Sequence, residues 1–256
     1  MKKILENKTI LITGTARGIG KSMVEACAAH GANVIAHARK EDAGHREFCE
    51  RIGKENGIRI VPIYFDLADQ GAVKDGFKEI CALKTPVDGL VNNAGIGGNS
   101  LFRMTRMEEL REIFEVDFFG PYFLTQCVVK LMLRQKHGSI VNISSTSALD
   151  GNSGKTAYGS AKAALLAMTK CIAEELGTSG IRANAICPGV TETEMMKEMP
   201  EYILDIEREA TYLGSLAKTD DIAKTAVFLL SDLSSYITGQ AIRVDGGKTL
   251  YRKRKN

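Results

Sequence analysis

Tyr158 and Lys162 stand four residues apart in Tyr158-Gly-Ser-Ala-Lys162, and Ser145 lies thirteen residues before Tyr158, closing the run that begins at Ser139. On a helix that spacing puts a phenol and an ammonium on one face, one turn apart. A cation held beside a phenol favours its ionised form and makes it a usable proton donor or acceptor near neutrality. Such a pair also occurs on solvated helix faces, so its meaning depends on the rest of the chain. A second cluster lies near the N-terminus, where an apolar run leads into Thr13-Gly14-Thr-Ala-Arg17-Gly18-Ile19-Gly20 and then a helical pattern. Glycines at such a turn let the backbone bend tightly and bring free N–H groups against a pyrophosphate at a helix N-terminus.

The elements that must position these groups are legible as alternation. Short β-branched runs fall at 9–13, 33–36, 59–65, 89–91, 139–143, 182–186 and 241–244. Between them, 19–30, 42–56, 69–83, 108–135, 158–177 and 220–230 carry apolar residues at helical spacing. The pattern predicts an α/β protein: a single-domain Rossmann fold, its doubly wound parallel sheet of about seven strands with helices on both faces. Ligands of such sheets bind beyond the carboxyl ends of the strands. The domain is expected to span 1–251, with a substrate lid at about 190–214 and a basic tail at 252–256.

The chain has 256 residues, 44% of them hydrophobic and 25% charged, which suits one sizeable core. The net charge of +3 is concentrated in Arg252 to Lys255, leaving the body slightly acidic and no polyanion binder. Neither nucleic acid nor membrane is an expected partner; a short basic terminus is usually a solvated end. The six cysteines form no Cys-x-x-Cys pair and the four histidines show no ligand spacing, so neither a disulfide framework nor a metal site is expected. No signal-peptide run precedes Glu6 and no later stretch reads as a membrane span, which predicts a cytoplasmic protein.

The second strand ends in His37-Ala38-Arg39 where an acidic residue would bond the 2′-hydroxyl of NAD. A guanidinium there favours the 2′-phosphate of NADP, and Arg17 can approach the same phosphate from the glycine turn. The expected cofactor is NADP(H).

With these pieces in view, the chain resembles the short-chain dehydrogenase/reductase family over nearly its whole length. The resemblance rests on Thr13-Gly-x-x-x-Gly-Ile-Gly20, Asp66 followed by Leu67, Asn92-Asn-Ala-Gly95, Ser145, Tyr158-x-x-x-Lys162, Pro188-Gly189 with Thr193, and Ile237-Thr-Gly-Gln-x-x-x-Val-Asp-Gly-Gly247. It implies that Gly14, Arg17, Gly18, Ile19, Gly20 and Arg39 hold the cofactor. Asp66 and Leu67 would lie at its adenine, Asn93, Ala94 and Gly95 at its ribose side, and Pro188, Gly189, Val190 and Thr193 at the nicotinamide amide. It further implies that Tyr158 protonates a carbonyl oxygen while hydride passes to carbon, that Lys162 holds the nicotinamide ribose, and that Ser145 orients the substrate oxygen.

Relatives place an asparagine on the long central helix to complete a tetrad; this chain has Asp117, a carboxylate that accepts but does not donate. If the relay runs through the backbone carbonyl, Asp117→Asn leaves turnover within about tenfold. Substrate contacts are expected from Ser145, Asn152 and Tyr158 and from the lid, whose Met195, Met196, Met199, Tyr202, Ile203, Leu204 and Leu213 offer adaptable apolar area. The pattern is closest to 3-oxoacyl-[acyl-carrier-protein] reductases, with small ketones, steroids, sugars and polyols as other substrates. A non-catalytic NADP-binding regulator would need the glycine turn but not Ser145, Tyr158 and Lys162. Assembly as a homotetramer through the helices beginning near Glu108 and Tyr158 is implied by the resemblance.

Overall fold

Thr9–Thr13 (β1) is buried along its whole length, and its alternating side chains explain the two-sided sheet. Ile10 and Ile12 enter one apolar cluster and Leu11 the opposite one. In the computed structural model, which describes residues 3–194, 196 and 200–247, six further strands extend this sheet: β2 (Asn33–Ala38), β3 (Ile60–Tyr64), β4 (Gly89–Asn92), β5 (Gly138–Ile143), β6 (Ile181–Pro188) and β9 (Ala241–Val244). All pair in parallel in the order β3-β2-β1-β4-β5-β6-β9. Strand order therefore reverses between β1 and β4, which opens a crevice at their carboxyl ends.

On one face α1 (Gly18–Ala29), α2 (Ala43–Asn56) and α9 (Thr219–Leu230) bury Met23, Val24, Phe48, Ile52 and Val227. On the other, α3 (Gln70–Ala82), α5 (Gly120–Gln135) and α7 (Thr156–Leu176) pack Val73, Ile80, Leu124, Val128 and Ile172. The expected helix starts at Asp42 and Asp69 prove to be caps. Asp42 accepts the His45 N–H, and Asp69 those of Gly71 and Ala72.

The long helical pattern at 108–135 is not one regular helix. After α4 (Met107–Phe114) the chain makes a π-helical turn, Glu115–Phe119, before α5 begins with Gly120-Pro121. Pro121 has no N–H for the carbonyl four residues back, which is that of Asp117. By length and composition alone, with a mean hydropathy of 1.2, Met107–Gln135 is long and apolar enough to cross a membrane, but its Leu124, Val128 and Met132 are buried against the sheet as in a core helix.

Two short helices and a second small sheet are additions to the sequence reading. α6 (Ser147–Asp150) follows β5, and α8 (Glu201–Glu209) lies in the lid segment. The segment expected to form a lid is closed at its base by β7 (Thr191–Glu192) pairing in parallel with β8 (Ala217–Lys218). Met195 and Met199 of the expected lid and the basic tail at 252–256 lie outside the described residues.

Candidate active site

The glycine turn sits at the carboxyl end of β1, pressed against the loop that leaves β4. Gly14 and Gly18 adopt φ of +72° and +56°. A Cβ on Gly14 would stand 2.8 Å from the Ala94 Cα, and one on Gly20 would overlap the Gly14 carbonyl oxygen. Thr13 fastens the two loops: its Oγ1 accepts the N–H groups of Asn93 (2.9 Å) and Ala94 (3.0 Å) and donates to the Val91 carbonyl. The Asn93 side chain donates to the carbonyls of Thr13 and Gly14, so it shapes the turn, and Asn92 is committed to Thr125 and Asn142 in the core. Thr193, beyond β6, lies opposite Gly18, so the loop carrying Pro188, Gly189 and Val190 comes back over the turn. Cβ-free backbone at a helix N-terminus fits a dinucleotide pyrophosphate.

Arg17, within the glycine turn, and Arg39, just beyond the end of β2, are both exposed. The two acidic residues that follow Arg39 are engaged elsewhere, Glu41 by Arg46 and Asp42 by the His45 backbone. Asp66 uses one oxygen to close a turn on the Ala68 N–H (2.9 Å), with Leu67 buried behind it.

A buried histidine pair, unforeseen from the sequence, braces the turn. His37 lies against the Phe65 ring with its centroid 4.1 Å away, and its Nε2 donates to the Phe65 carbonyl (2.8 Å) while Nδ1 accepts the Gly14 N–H (3.4 Å). The Thr15 hydroxyl donates its one proton to the His37 carbonyl (3.0 Å), which requires His45 Nε2, 2.8 Å away, to be the donor to Thr15. His45 Nδ1 then accepts from the Tyr64 hydroxyl at 3.1 Å. Both rings are needed neutral. Burial pushes the His37 imidazole down to about 4, with His45 adding repulsion and the Phe65 carbonyl opposing, and burial also lowers His45. Between the unfolded value of 6.5 and about 4 the unfolded chain binds the extra proton. Stability from His37 is therefore complete above pH 6.5 and declines as pH falls toward 4, by on the order of 3 kcal/mol. Urea unfolding across that window should show this slope, and His37→Gln should flatten it.

The second half of the crevice is built by β5, α7 and the π turn. Ser145 follows β5, mostly buried, and its Oγ accepts the Ser147 N–H at 3.1 Å. Its neighbour Ser144 donates to the Lys162 carbonyl (2.8 Å), and Gly159 lets α7 pack so closely on α6 that a Cβ there would meet the Ser147 carbonyl at 3.0 Å. These two ties hold Ser145 beside the turn of α7 that carries Tyr158 and Lys162. The Lys162 Nζ stands 5.7 Å from the Tyr158 ring centroid, and the Lys155 Nζ stands 5.9 Å from the same centroid. Lys162 faces Asp117 across 3.2 Å, both side chains being almost wholly excluded from water. The other Asp117 oxygen accepts the Ile96 N–H at 2.7 Å. Burial lowers the Lys162 value, but the Asp117 charge and then Tyr158 outweigh it, so the net direction is up and the ammonium stays charged. Burial raises the Asp117 carboxyl and Lys162 pulls it back.

On the expected substrate side, Asn152 is exposed in the loop after α6 and its carbonyl accepts the Lys155 N–H. Lys155, which the sequence reading passed over, donates to the Gly98 carbonyl at 2.8 Å and joins the loops after β4 and β5. Arg243 of β9 grips Asp150 with two parallel hydrogen bonds (2.8 and 2.7 Å) and also holds Asp245, anchoring α6 from below. Among the described residues no three His, Cys, Asp or Glu side chains gather as metal ligands.

A parallel Rossmann sheet with a glycine cradle at its switch point and a tyrosine–lysine pair across the crevice is the arrangement of a dinucleotide-dependent oxidoreductase. The chain belongs to the short-chain dehydrogenase/reductase family. The family profile described as enoyl-(acyl carrier protein) reductase matches residues 14–249. The 3-oxoacyl-[acyl-carrier-protein] reductase FabG of Thermotoga maritima is 37% identical over 245 residues, covering 95% of this chain and 98% of the relative. An L-rhamnose 1-dehydrogenase (NAD(P)(+)) of Sphingomonas sp. is 36% identical over 252 residues, covering 96% of this chain and 97% of the relative. The crystal structure of a 3-oxoacyl-[acyl-carrier protein] reductase from Brucella melitensis superposes with a TM-score of 0.91 at 28% identity, over 98% of this chain and 94% of that one.

Proposed function

We propose that the protein is an NADP(H)-dependent reductase that interconverts a ketone and a secondary alcohol, with Tyr158 as general acid and base. The observation that carries this reading is the position of Tyr158 beside the buried Lys162 ammonium, on the helix turn tied to Ser145. When bound, the nicotinamide supplies or takes up the hydride. Tyr158 delivers a proton to the carbonyl oxygen as negative charge builds there, and Ser145 donates a second hydrogen bond to that oxygen. Lys162, held by Asp117, supplies donors for a ribose. Keto reduction is favoured over the enoyl reduction named for the family profile by the similarity to 3-oxoacyl-[acyl-carrier-protein] reductases over nearly the whole chain.

Similarity to 3-oxoacyl-[acyl-carrier-protein] reductases supports a 3-oxoacyl thioester as the leading substrate. Sugar or polyol oxidation is the second reading, supported by the rhamnose dehydrogenase at nearly equal identity. The set of Ser145, Tyr158 and Lys162 weighs against a non-catalytic regulator. For assembly, Phe119 and Tyr122 of the π turn and α5 are about half exposed beside a groove of about 520 Å³, which supports a homo-oligomer, in the family's manner a tetramer. Leu124, by contrast, is core. A cytoplasmic location belongs to the same reading.

Cofactor choice follows from Arg17 and Arg39 and from the engaged Glu41 and Asp42. Arg39→Ala should weaken NADPH about tenfold to a hundredfold and leave NADH little changed, because a hydrogen bond to a charged phosphate contributes about 1.5–3 kcal/mol. Fluorescence titration with both nucleotides checks it, and a preference of the unmodified protein for NADH would contradict the NADP(H) assignment.

A further inference from the structure

Asp117 is fully buried within the π turn, and both of its oxygens face donors: Ile96 N–H at 2.7 Å and the Lys162 ammonium at 3.2 Å. The second oxygen makes no well-angled hydrogen bond, so charge rather than geometry ties it to Lys162. An asparagine in this arrangement would turn its NH2 toward either the ammonium or the Ile96 N–H, a donor against a donor in both cases. Gly95 closes over the pair so tightly that a Cβ there would lie 2.9 Å from the Asp117 oxygen and 3.1 Å from the Lys162 nitrogen. The surroundings are built for a carboxylate.

We propose that Asp117 is the fixed counter-ion of Lys162 and sets the pH range in which the site transfers protons, holding Tyr158 in its proton-donating form and favouring carbonyl reduction. This deepens the reductase reading and rests on it. A lone ammonium under Tyr158 would stabilise a phenolate; an ammonium already paired with a carboxylate presents almost no net charge to it. The groups coupled to Lys162 are Asp117 from the π turn and Tyr158 from α7 itself. Lys155, at the start of α7, flanks the Tyr158 ring and is bound to the Gly98 carbonyl. Of the other elements packed on α7, α4 brings Glu109 toward Gly98, α6 has Asp150 engaged by Arg243, and β6 has Arg182 engaged by the carbonyls of Leu229, Ser231 and Ile237. From β5, Asn142 donates to Thr169 of α7, and Ser144 just beyond the strand donates to the Lys162 carbonyl; neither is ionisable in this range.

The test is the pH profile of kcat for alcohol oxidation and ketone reduction, each variant being read against its own plateau. In Asp117→Asn the limb reporting loss of the catalytic proton should move to lower pH by about one unit in both directions of reaction. Should that variant fail to fold, Asp117→Ser removes the charge with less bulk and carries the same prediction. A limb that stays in place, or moves to higher pH, in a folded variant overturns the proposal. Tyr158→Phe is run alongside: activity retained there would overturn the reductase mechanism itself, whereas an inactive Tyr158→Phe with an unmoved Asp117→Asn limb overturns only the counter-ion role.

Discussion

Tyr158→Phe should lower kcat by about two to four orders of magnitude, the usual contribution of a positioned general acid. The substitution removes one hydroxyl and keeps the ring that lies between the ammonium groups of Lys155 and Lys162. Packing should be preserved. Nucleotide affinity should therefore stay within about threefold and thermal unfolding should be nearly unchanged, both well below the loss in turnover. A variant that turns over at a rate near that of the parent would show that another group supplies the proton.

Lys162→Met should be the most damaging single change to stability near the site. It leaves the Asp117 carboxylate buried with only the Ile96 N–H for company. Removing one member of a buried ion pair costs about 3–5 kcal/mol because the remaining charge is uncompensated. The cost has a definite pH dependence. Burial already raises the Asp117 carboxyl, and Lys162 is the strongest influence holding it down. Without Lys162 the folded carboxyl rises further above its unfolded value, so the folded state binds the extra proton and the penalty shrinks as pH falls. Denaturant unfolding of Lys162→Met should show a loss that is largest at neutral and alkaline pH. Lys162→Met combined with Asp117→Leu should recover part of it, though no turnover. If the single variant is as stable as the parent at neutral pH, the two charges are not coupled as the 3.2 Å contact implies.

The parallel sheet was legible because strands covered on both faces carry short β-branched apolar runs without alternation, such as Ile10 to Ile12 and Ile140-Val141, inside strands buried nearly throughout. The break at Glu115–Phe119 was marked in the sequence by Gly120-Pro121, but the helical spacing of apolar residues runs across it and hides it. Asp117 was recognisable as a departure from the family and not as half of an ion pair, because that depends on how α7 and the π turn pack. His37 and His45 looked like isolated residues, since their partners come from the end of β3 (Tyr64 and Phe65) and from the glycine turn (Thr15), distant in sequence. Lys155 was overshadowed by the neighbouring Tyr158 and Lys162, and only the fold brings Gly98 to it. Helix α8 had the charge pattern of an exposed segment, and none of its residues is buried.

The most direct measurement is the oxidation of NADPH by the purified protein, followed through its nicotinamide absorbance, in the presence of 3-oxoacyl thioesters, simple ketones and ketoses. The proposed reductase function predicts substrate-dependent oxidation with NADPH strongly preferred over NADH, loss of that rate in Tyr158→Phe, and the fastest rate with a 3-oxoacyl thioester. Tight NADPH binding with no turnover of any carbonyl in the panel would contradict the assignment of Tyr158 and Lys162 to ketone reduction.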